Sequence, residues 1–345
     1  MTARVLVVDD SVVARRVLTS ILVEAGFDVV GTAATGGIAL AKIPRLQPDI
    51  VTLDLDMPEM DGLEALSEIR ARFPSVRVVM VSSHTERGAS ATVEALFRGA
   101  SDYVTKAARA ATPEAARREV ADQLVPKLQS LLAAPRKVAA PRPAPAEPRE
   151  ARPVTAVGVA ASTGGPKALA ELLRELPADL RVPVLVVQHM PENFTAYLAE
   201  RLDGQCAAAV AEASDGVRPA PGGVWIAPGN RHLEVRRSED GPRLAVTTEP
   251  PVNSCRPSAD VLFRAMASCW GGGVLAVVLT GMGQDGLRGS EAIREAGGRV
   301  LAQDRASSVV WGMPGQVVGA GLSELVAPPA DLGREIVRRV RETRS

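Results

Sequence analysis

Ser162, His189 and Asp285 give the chain a hydroxyl, an imidazole and a carboxylate, the three groups of nucleophilic hydrolysis. A serine attacks poorly at neutral pH unless a base takes its proton, and that base needs a carboxylate to set its tautomer. The chain has only three histidines, His84, His189 and His232, and the first lies in its N-terminal part. His189 follows Val184–Gln188, which reads as a buried strand with the imidazole at its carboxyl end. His232 opens a hairpin strand and reads as a surface or packing residue. Ser162 follows Val154–Ala161 and opens Ser-Thr-Gly-Gly-Pro, a strand-to-helix turn in which Pro166 suits the first helical turn. Asp285 lies in Thr-Gly-Met-Gly-Gln-Asp-Gly just after Val274–Leu279, so all three groups fall at one edge of a sheet. The glycines flanking Ser162 and Met282 let backbone N–H groups face a developing oxyanion. From residue types alone, a plain helix-capping role for Ser162 stays open.

A second group is acidic. Asp9 and Asp10 end the first predicted strand, Asp54 the third and Ser82 the fourth, and Lys106 follows the fifth. In a parallel sheet these positions share the carboxyl edge, where ligands gather. Such oxygen donors suit a hard divalent cation, Mg2+. A carboxylate beside that ion can attack a phosphoryl group, with the ion and Lys106 neutralising the phosphoryl oxygens. Singly, each acid is a solvated turn residue or a helix cap; together they specify a site.

Other motifs compete. Gly281-x-Gly283-x-x-Gly286 follows a strand as a dinucleotide-binding turn does, with Asp304 after a further strand. Against it, Asp285 would repel the pyrophosphate, and few residues remain for further βαβ units. Gly164-Gly165-Pro166-Lys167 suggests a phosphate loop but lacks its full spacing. Cys255, in Asn-Ser-Cys-Arg-Pro-Ser-Ala-Asp, has no partner nearby in sequence and reads as a buried thiol rather than a nucleophile. The α/β-hydrolase fold is disfavoured, because its order is Ser…Asp…His and its elbow begins with Gly where this chain has Ala160.

Alternating strands and helices must position these groups. Before residue 126, strands are predicted at Val5–Val8, Asp28–Val30, Ile50–Leu53, Val76–Val81 and Asp102–Thr105. Helices are predicted at Val12–Ala25, Ile38–Leu46, Leu63–Arg72 and Ala89–Phe97, with a last one starting at Thr112-Pro113-Glu114. Beyond the middle, strands are predicted at Val154–Ala160, Val184–Val187, Val224–Ile226, Val274–Leu279 and Arg299–Ala302. A hairpin, His232–Arg236 with Arg243–Thr247, turns at Asp240-Gly241. This is an α/β pattern of parallel sheets covered by helices. Between the halves, Ala133–Pro153 carries prolines at 135, 141, 143, 145, 148 and 153. It reads as a polyproline-biased linker reaching roughly 65 Å at about 3.1 Å per residue.

At 345 residues, 46% apolar and 23% charged, the composition is that of a globular chain of two domains. Forty basic residues balance forty acidic ones, which argues against a dedicated nucleic-acid binder. Three scattered cysteines, Cys206, Cys255 and Cys269, read as reduced thiols, and neither a signal peptide nor a membrane-length apolar run is seen. The expectation is a cytoplasmic protein with no direct membrane insertion.

The motifs VLVVDDS, LDLDMPEMDG, VMVSS and DYVTK resemble a response-regulator receiver over residues 1–125, which implies a flavodoxin-like fold. Carried across, that resemblance makes Asp54 the phosphoacceptor and Asp10 a direct Mg2+ ligand. Asp9 acts through water, Asp56 through its backbone carbonyl, and Ser82 and Lys106 contact the phosphoryl group. One departure is Ala107, where the family has proline.

Beyond a Pro/Ala-rich linker at 126–152, GVAASTGGPKAL, VVQHMPENFT, APGNRHL, CRPSADVLF and LTGMGQDG resemble the chemotaxis protein-glutamate methylesterase family, CheB-like, over residues 153–342. This implies a Rossmann-like, mainly parallel catalytic domain without a catalytic metal. Ser162 is then the nucleophile, His189 the base and Asp285 the orienting acid, with Thr163 and Met282 in the oxyanion region. The implied substrates are γ-methyl esters on methyl-accepting chemotaxis receptors, with methanol released and receptor glutamines deamidated. The implied phosphodonor is a chemotaxis histidine kinase, and the unphosphorylated receiver is expected to cover the esterase cleft. The competing reading is a response regulator with a DNA-binding or non-catalytic scaffold output. Alternating strands without a basic recognition helix argue against the first, and the filled triad positions against the second.

Overall fold

Largely apolar runs form the central strands of both units, because parallel strands covered on both faces bury nearly every side chain. The computed structural model describes residues 2–83, 85–106, 112–132 and 152–342. The chain divides into two units, 1–136 and 137–345. His84, Ala107 and most of the expected linker lie outside the described residues.

In the first unit, β1 (Arg4–Val8), α1 (Val12–Glu24), β2 (Asp28–Ala33), α2 (Gly36–Leu46) and β3 (Ile50–Asp54) come first. They are followed by α3 (Gly62–Arg72), β4 (Arg77–Ser82), α4 (Glu86–Phe97), β5 (Asp102–Thr105) and α5 (Pro113–Leu132). The sheet order is β2-β1-β3-β4-β5, all parallel. This order is the flavodoxin-like one, with its switch point between β1 and β3. The helices hold the sheet between two layers: α1 packs with α5, and α3 with α2 and α4. α3 starts at a full capping box of Asp61 and Glu64, which fixes the chain just after β3. One boundary differs from expectation. α5 runs through Leu132, so residues 126–132 are helical rather than linker, with Leu124, Leu128 and Leu131 buried. Their helical spacing outweighs Pro126 inside the helix.

The second unit begins with β6 (Ala156–Ala161), α6 (Gly165–Leu173), β7 (Val184–Gln188), α7 (Phe194–Asp203), β8 (Ala209–Glu212) and β9 (Gly223–Ile226). The hairpin β10 (His232–Ser238) and β11 (Gly241–Thr247) follows. Next come α8 (Ala259–Trp270), β12 (Val274–Val278), α9 (Leu287–Glu295), β13 (Arg299–Gln303), α10 (Met313–Gly319), β14 (Leu325–Ala327) and α11 (Pro329–Glu342). Seven parallel strands lie in the order β14-β13-β12-β6-β7-β9-β8. The chain passes from β6 to β7 on one side and returns to place β12 on the other. β6 is therefore the switch point, and a crevice opens beyond its carboxyl end. α8 packs against α9, β6 and the hairpin, and α6 packs against α11. The core gathers on these contacts, with Phe263, Met266, Leu262 and Val278 fully buried. No helix among the described residues is long and apolar enough to cross a membrane.

Candidate active site

Ser162, His189 and Asp285 all reach the crevice at the switch point. β6 and β7 pair in register through Ala161 and Gln188, so the next two residues, Ser162 and His189, stand side by side. His189 N donates to Ala161 O at 3.1 Å, and Ser162 N donates to Thr280 O at 3.0 Å, which ties the serine to the end of β12. Asp285 arrives on the loop after β12, its Oδ2 2.8 Å from His189 Nε2.

The acid is held from every side. Its Oδ2 also accepts from Ala259 N at 2.6 Å, and its Oδ1 accepts from Ser258 Oγ at 2.7 Å, Asn253 Nδ2 at 3.0 Å and Asp260 N at 3.2 Å. Ala259 and Asp260 open α8, so the carboxylate sits on a helix N-terminus, where exposed N–H groups favour negative charge. Burial alone would raise the Asp285 pKa, but His189, the Ser258 hydroxyl and the Ala259 amide outweigh it and hold the acid below 3.8. Burial presses the His189 ring towards neutrality, while its bonds to Asp285 and Cys255 prevail and raise its pKa above 6.5. With Nε2 committed to Asp285, Nδ1 is the ring atom left for proton transfer.

The turn after β6 is shaped by close approach. A Cβ at Gly165 would lie 1.9 Å from Gln188 Oε1, and Gly164 has φ +76° with Val309 2.5 Å from where its Cβ would be. Gln188 is buried, and its Nε2 donates to Ser162 O at 3.0 Å and His189 O at 3.3 Å, clamping the two neighbours together. Thr163 is buried, and its carbonyl accepts from Thr280 Oγ1 at 2.9 Å. Met282 is half-buried and follows Gly281, whose carbonyl accepts from Gly312 N and Met313 N.

One expectation about this edge changes. Cys255 is a half-exposed thiol, not a buried one without a partner; its Sγ is 3.8 Å from His189 Nδ1. The tight turn at Val252–Cys255 folds it back onto the edge, which spacing in sequence does not reveal. His232 is fully buried, and its role is packing: Nε2 meets Pro250 O at 3.1 Å, and Nδ1 accepts from Ser258 N at 3.2 Å. The phosphate-binding alternatives find no support. Asp285 fills the Gly281–Gly286 turn with a saturated carboxylate, and Lys167 is exposed beside Glu171.

At the acidic edge of the first unit, Lys106 Nζ lies 2.9 Å from Asp54 Oδ1 and 3.1 Å from Asp9 Oδ2. Asp9 is fully buried; its Oδ1 accepts from Ser11 N at 2.9 Å, while Oδ2 meets the ammonium without forming a hydrogen bond. Asp9, Asp10 and Asp54 each offer an oxygen within 4.8 Å of the others. Burial is the main force lifting the Asp54 pKa to about 6; Lys106 opposes it and Asp9 adds to it. Three crowded carboxylates, with one buried oxygen unbonded, fit a hard cation. Asp10 and Asp56 are exposed at the rim. Ser82 is buried, and its hydroxyl bonds Gly88 O at 3.1 Å and Thr92 Oγ1 at 2.7 Å, towards α4.

A family model described as "CheB methylesterase" matches residues 157–336, and one described as "Response regulator receiver domain" matches residues 5–116. A Trichodesmium erythraeum protein-glutamate methylesterase/protein-glutamine glutaminase is 48% identical over 98% of this chain and 99% of its own length. The chain belongs to the CheB methylesterase family. A Caulobacter vibrioides relative of the same description is 45% identical over 98% of this chain and 99% of its own. The crystal structure of the Thermotoga maritima CheB methylesterase catalytic domain matches with a TM-score of 0.53 and 36% identity, covering 54% of this chain and 98% of that one. Within this CheB-type frame, Asn253, Ser258 and Asp260, which bond Asp285, are the site residues that the sequence did not reveal. They lie inside the Asn-Ser-Cys-Arg-Pro-Ser-Ala-Asp run, but polar residues 25 or more positions from an acid give no sign that they bond it.

Proposed function

We propose that the chain hydrolyses γ-methyl esters of glutamate side chains on methyl-accepting chemotaxis receptors, releasing methanol, and deamidates receptor glutamines. Its membership of the CheB family and the naming of its relatives support this substrate class. The observation that carries the mechanism is the bond from His189 Nε2 to Asp285, which leaves Nδ1 as the ring atom to act as base on Ser162, the residue that the β6–β7 register sets next to His189. Nδ1 takes the Ser162 proton as Oγ attacks the ester carbonyl, and backbone N–H groups at Thr163 and Met282 face the oxyanion. Nδ1 then returns the proton to the departing methoxide. It next activates a water that splits the acyl-serine, freeing the glutamate carboxylate and restoring the hydroxyl. Asp285 stabilises the imidazolium throughout.

In the receiver, Asp54 accepts a phosphoryl group from a chemotaxis histidine kinase, and phosphorylation raises esterase activity by shifting the population of restrained and active states. Asp10, Asp54, the Asp56 carbonyl and, through water, Asp9 would hold Mg2+, which neutralises charge on the transferring group. Lys106 adds the second positive charge, and Ser82 contacts the phosphoryl oxygens. Methanol release from methylated receptor membranes, with and without a small phosphodonor, tests both halves. Release that rises with phosphodonor in the chain but not in Asp54→Asn is expected. Equal release with and without phosphodonor overturns the control, and no release at all overturns the activity.

A further inference from the structure

Cys255 and His189 stand out once the esterase chemistry is accounted for, because that chemistry uses Nδ1 and does not need the thiol. The two atoms are 3.8 Å apart. A tetrahedral zinc with Zn–S near 2.3 Å and Zn–N near 2.0–2.1 Å sets its sulfur and nitrogen roughly 3.6 Å apart. A movement of a few tenths of an ångström therefore lets one ion bridge them. His189, Cys255 and Asp285 form one of two clusters of potential ligands among the described residues, their donor atoms within 4.8 Å.

The placement of the thiol is built rather than accidental. Val252 and Cys255 exchange both backbone hydrogen bonds, at 3.1 and 2.9 Å. Between them Asn253 and Ser254 take φ of 52° and 60°, the left-handed pair of a two-residue hairpin turn. The Asn253 side chain locks that turn to the site by donating to Asp260 Oδ2 at 2.8 Å and Asp285 Oδ1 at 3.0 Å. The thiol itself lies 3.4 Å from Asn253 O. Both Cys255 and His189 are partly open to solvent, so an ion can reach them.

Asp285 plays the part that carboxylates play behind zinc-bound histidines. Its bond to Nε2 keeps the proton there and points the Nδ1 lone pair outward. Its remaining oxygen positions are filled by Ser258, Ala259, Asp260 and Asn253, so it orients the ring rather than ligating.

We propose that Cys255 Sγ and His189 Nδ1 bind Zn2+, or a similarly soft divalent ion, and that the bound ion switches the esterase off. Two bonds form, sulfur to metal and nitrogen to metal; the thiol proton leaves to solvent, and water fills the other positions. Mg2+ does not compete, since sulfur and imidazole disfavour it. Two protein ligands make the site reversible, unlike the four of structural zinc. Inhibition follows because the metal occupies the lone pair that Ser162 requires, and this part alone rests on the functional reading above.

The test uses the full chain. Zn2+ is titrated into the methanol-release assay, with chelator added back, for the wild type, Cys255→Ser and Cys206→Ser, each scaled to its own metal-free rate. Loss of an orienting partner alone costs metal sites about 10–100-fold in affinity, so Cys255→Ser should raise the inhibitory Zn2+ midpoint by at least about tenfold. Cys206→Ser should leave it unchanged. In parallel, Zn2+ should protect Cys255 of the unmutated chain from iodoacetamide, read by peptide mass spectrometry. Co2+ should give a thiolate charge-transfer band in Ser162→Ala. Protection and the band survive any failure of the esterase reading. An unchanged midpoint in Cys255→Ser, or unaltered alkylation of Cys255 under Zn2+, overturns the proposal.

Discussion

The receiver edge and the esterase edge are built alike and finished differently. Each lies beyond the carboxyl ends of parallel strands at a switch point, and each centres on a buried aspartate. At the receiver edge, carboxylates crowd one another: Asp54 is lifted to about 6 by burial, Asp9 Oδ2 has no hydrogen bond, and one lysine serves both acids. At the esterase edge, five donors meet Asp285 and hold its pKa below the ordinary value. The first site is left wanting a cation from outside, whereas the second supplies its own counter-charge from His189 and a helix end. On the proposed function, the contrast sets an under-bonded site, suited to gaining and losing a charged group, against a saturated one, suited to repeating one reaction.

The sharpest way to break the comparison is at the esterase edge. Ser162→Ala should lower kcat for methanol release by about 10⁶-fold, as nucleophile removal does in serine hydrolases. Asp285→Asn keeps the shape but reverses the hydrogen bond that sets the tautomer, and should cost about 10⁴-fold. Both are read from initial rates on methylated receptor membranes. If Asp285→Asn costs less than tenfold, the saturated carboxylate is structural only. At the receiver edge, chelating divalent cations should abolish labelling of Asp54 by a small phosphodonor while leaving the basal esterase rate in place. Labelling that persists in chelator would mean that the crowded acids need no cation.

The pH dependence sharpens the same contrast. His189 is a base only when neutral, and Asp285 and Cys255 hold its pKa above 6.5. The kcat/KM should therefore fall as pH drops through a midpoint above 6.5, and the residual activity of Asp285→Asn should show a lower midpoint. A midpoint that stays put in that variant would remove the carboxylate's influence from the account. The smallest effects are in stability. Gly165→Ala drives a Cβ to 1.9 Å from Gln188 Oε1 and should cost about 1–3 kcal/mol as over-packing. Asn253→Ala strips one donor each from Asp260 and Asp285 and should cost about 1–3 kcal/mol. Denaturant melts of the full chain measure both, and no change in either would show that the turns relax freely.

The strands that carry the sites were legible because Val5–Val8, Val184–Val187 and Val274–Val278 are apolar without a break and Ile50–Leu53 is broken only by the buried Thr52, as suits doubly covered strands. β8 and β14 were not: Ala209–Glu212 is small-chained and half exposed at one edge, and Leu325–Ala327 has only three residues at the other. Residues 126–132 were expected in the linker, yet the buried Leu124, Leu128 and Leu131 carry α5 past Pro126 to Leu132. His189 and Asp285 were readable as residues at strand ends. Their direct bond rests on loop geometry, as does the Asn253–Ser258–Asp260 cradle, whose members meet the acid only through the start of α8. Cys255 was misjudged for the same reason, since a two-residue turn sets its side chain facing a histidine 66 positions away.

The most direct test of the central claim, that Nδ1 of His189 activates Ser162, is to treat the chain with a fluorophosphonate and map the adduct by peptide mass spectrometry. A single adduct on Ser162, formed far more slowly in His189→Gln, is the predicted result. An adduct on Cys255, or equal labelling of Ser162 with and without the imidazole, would contradict it.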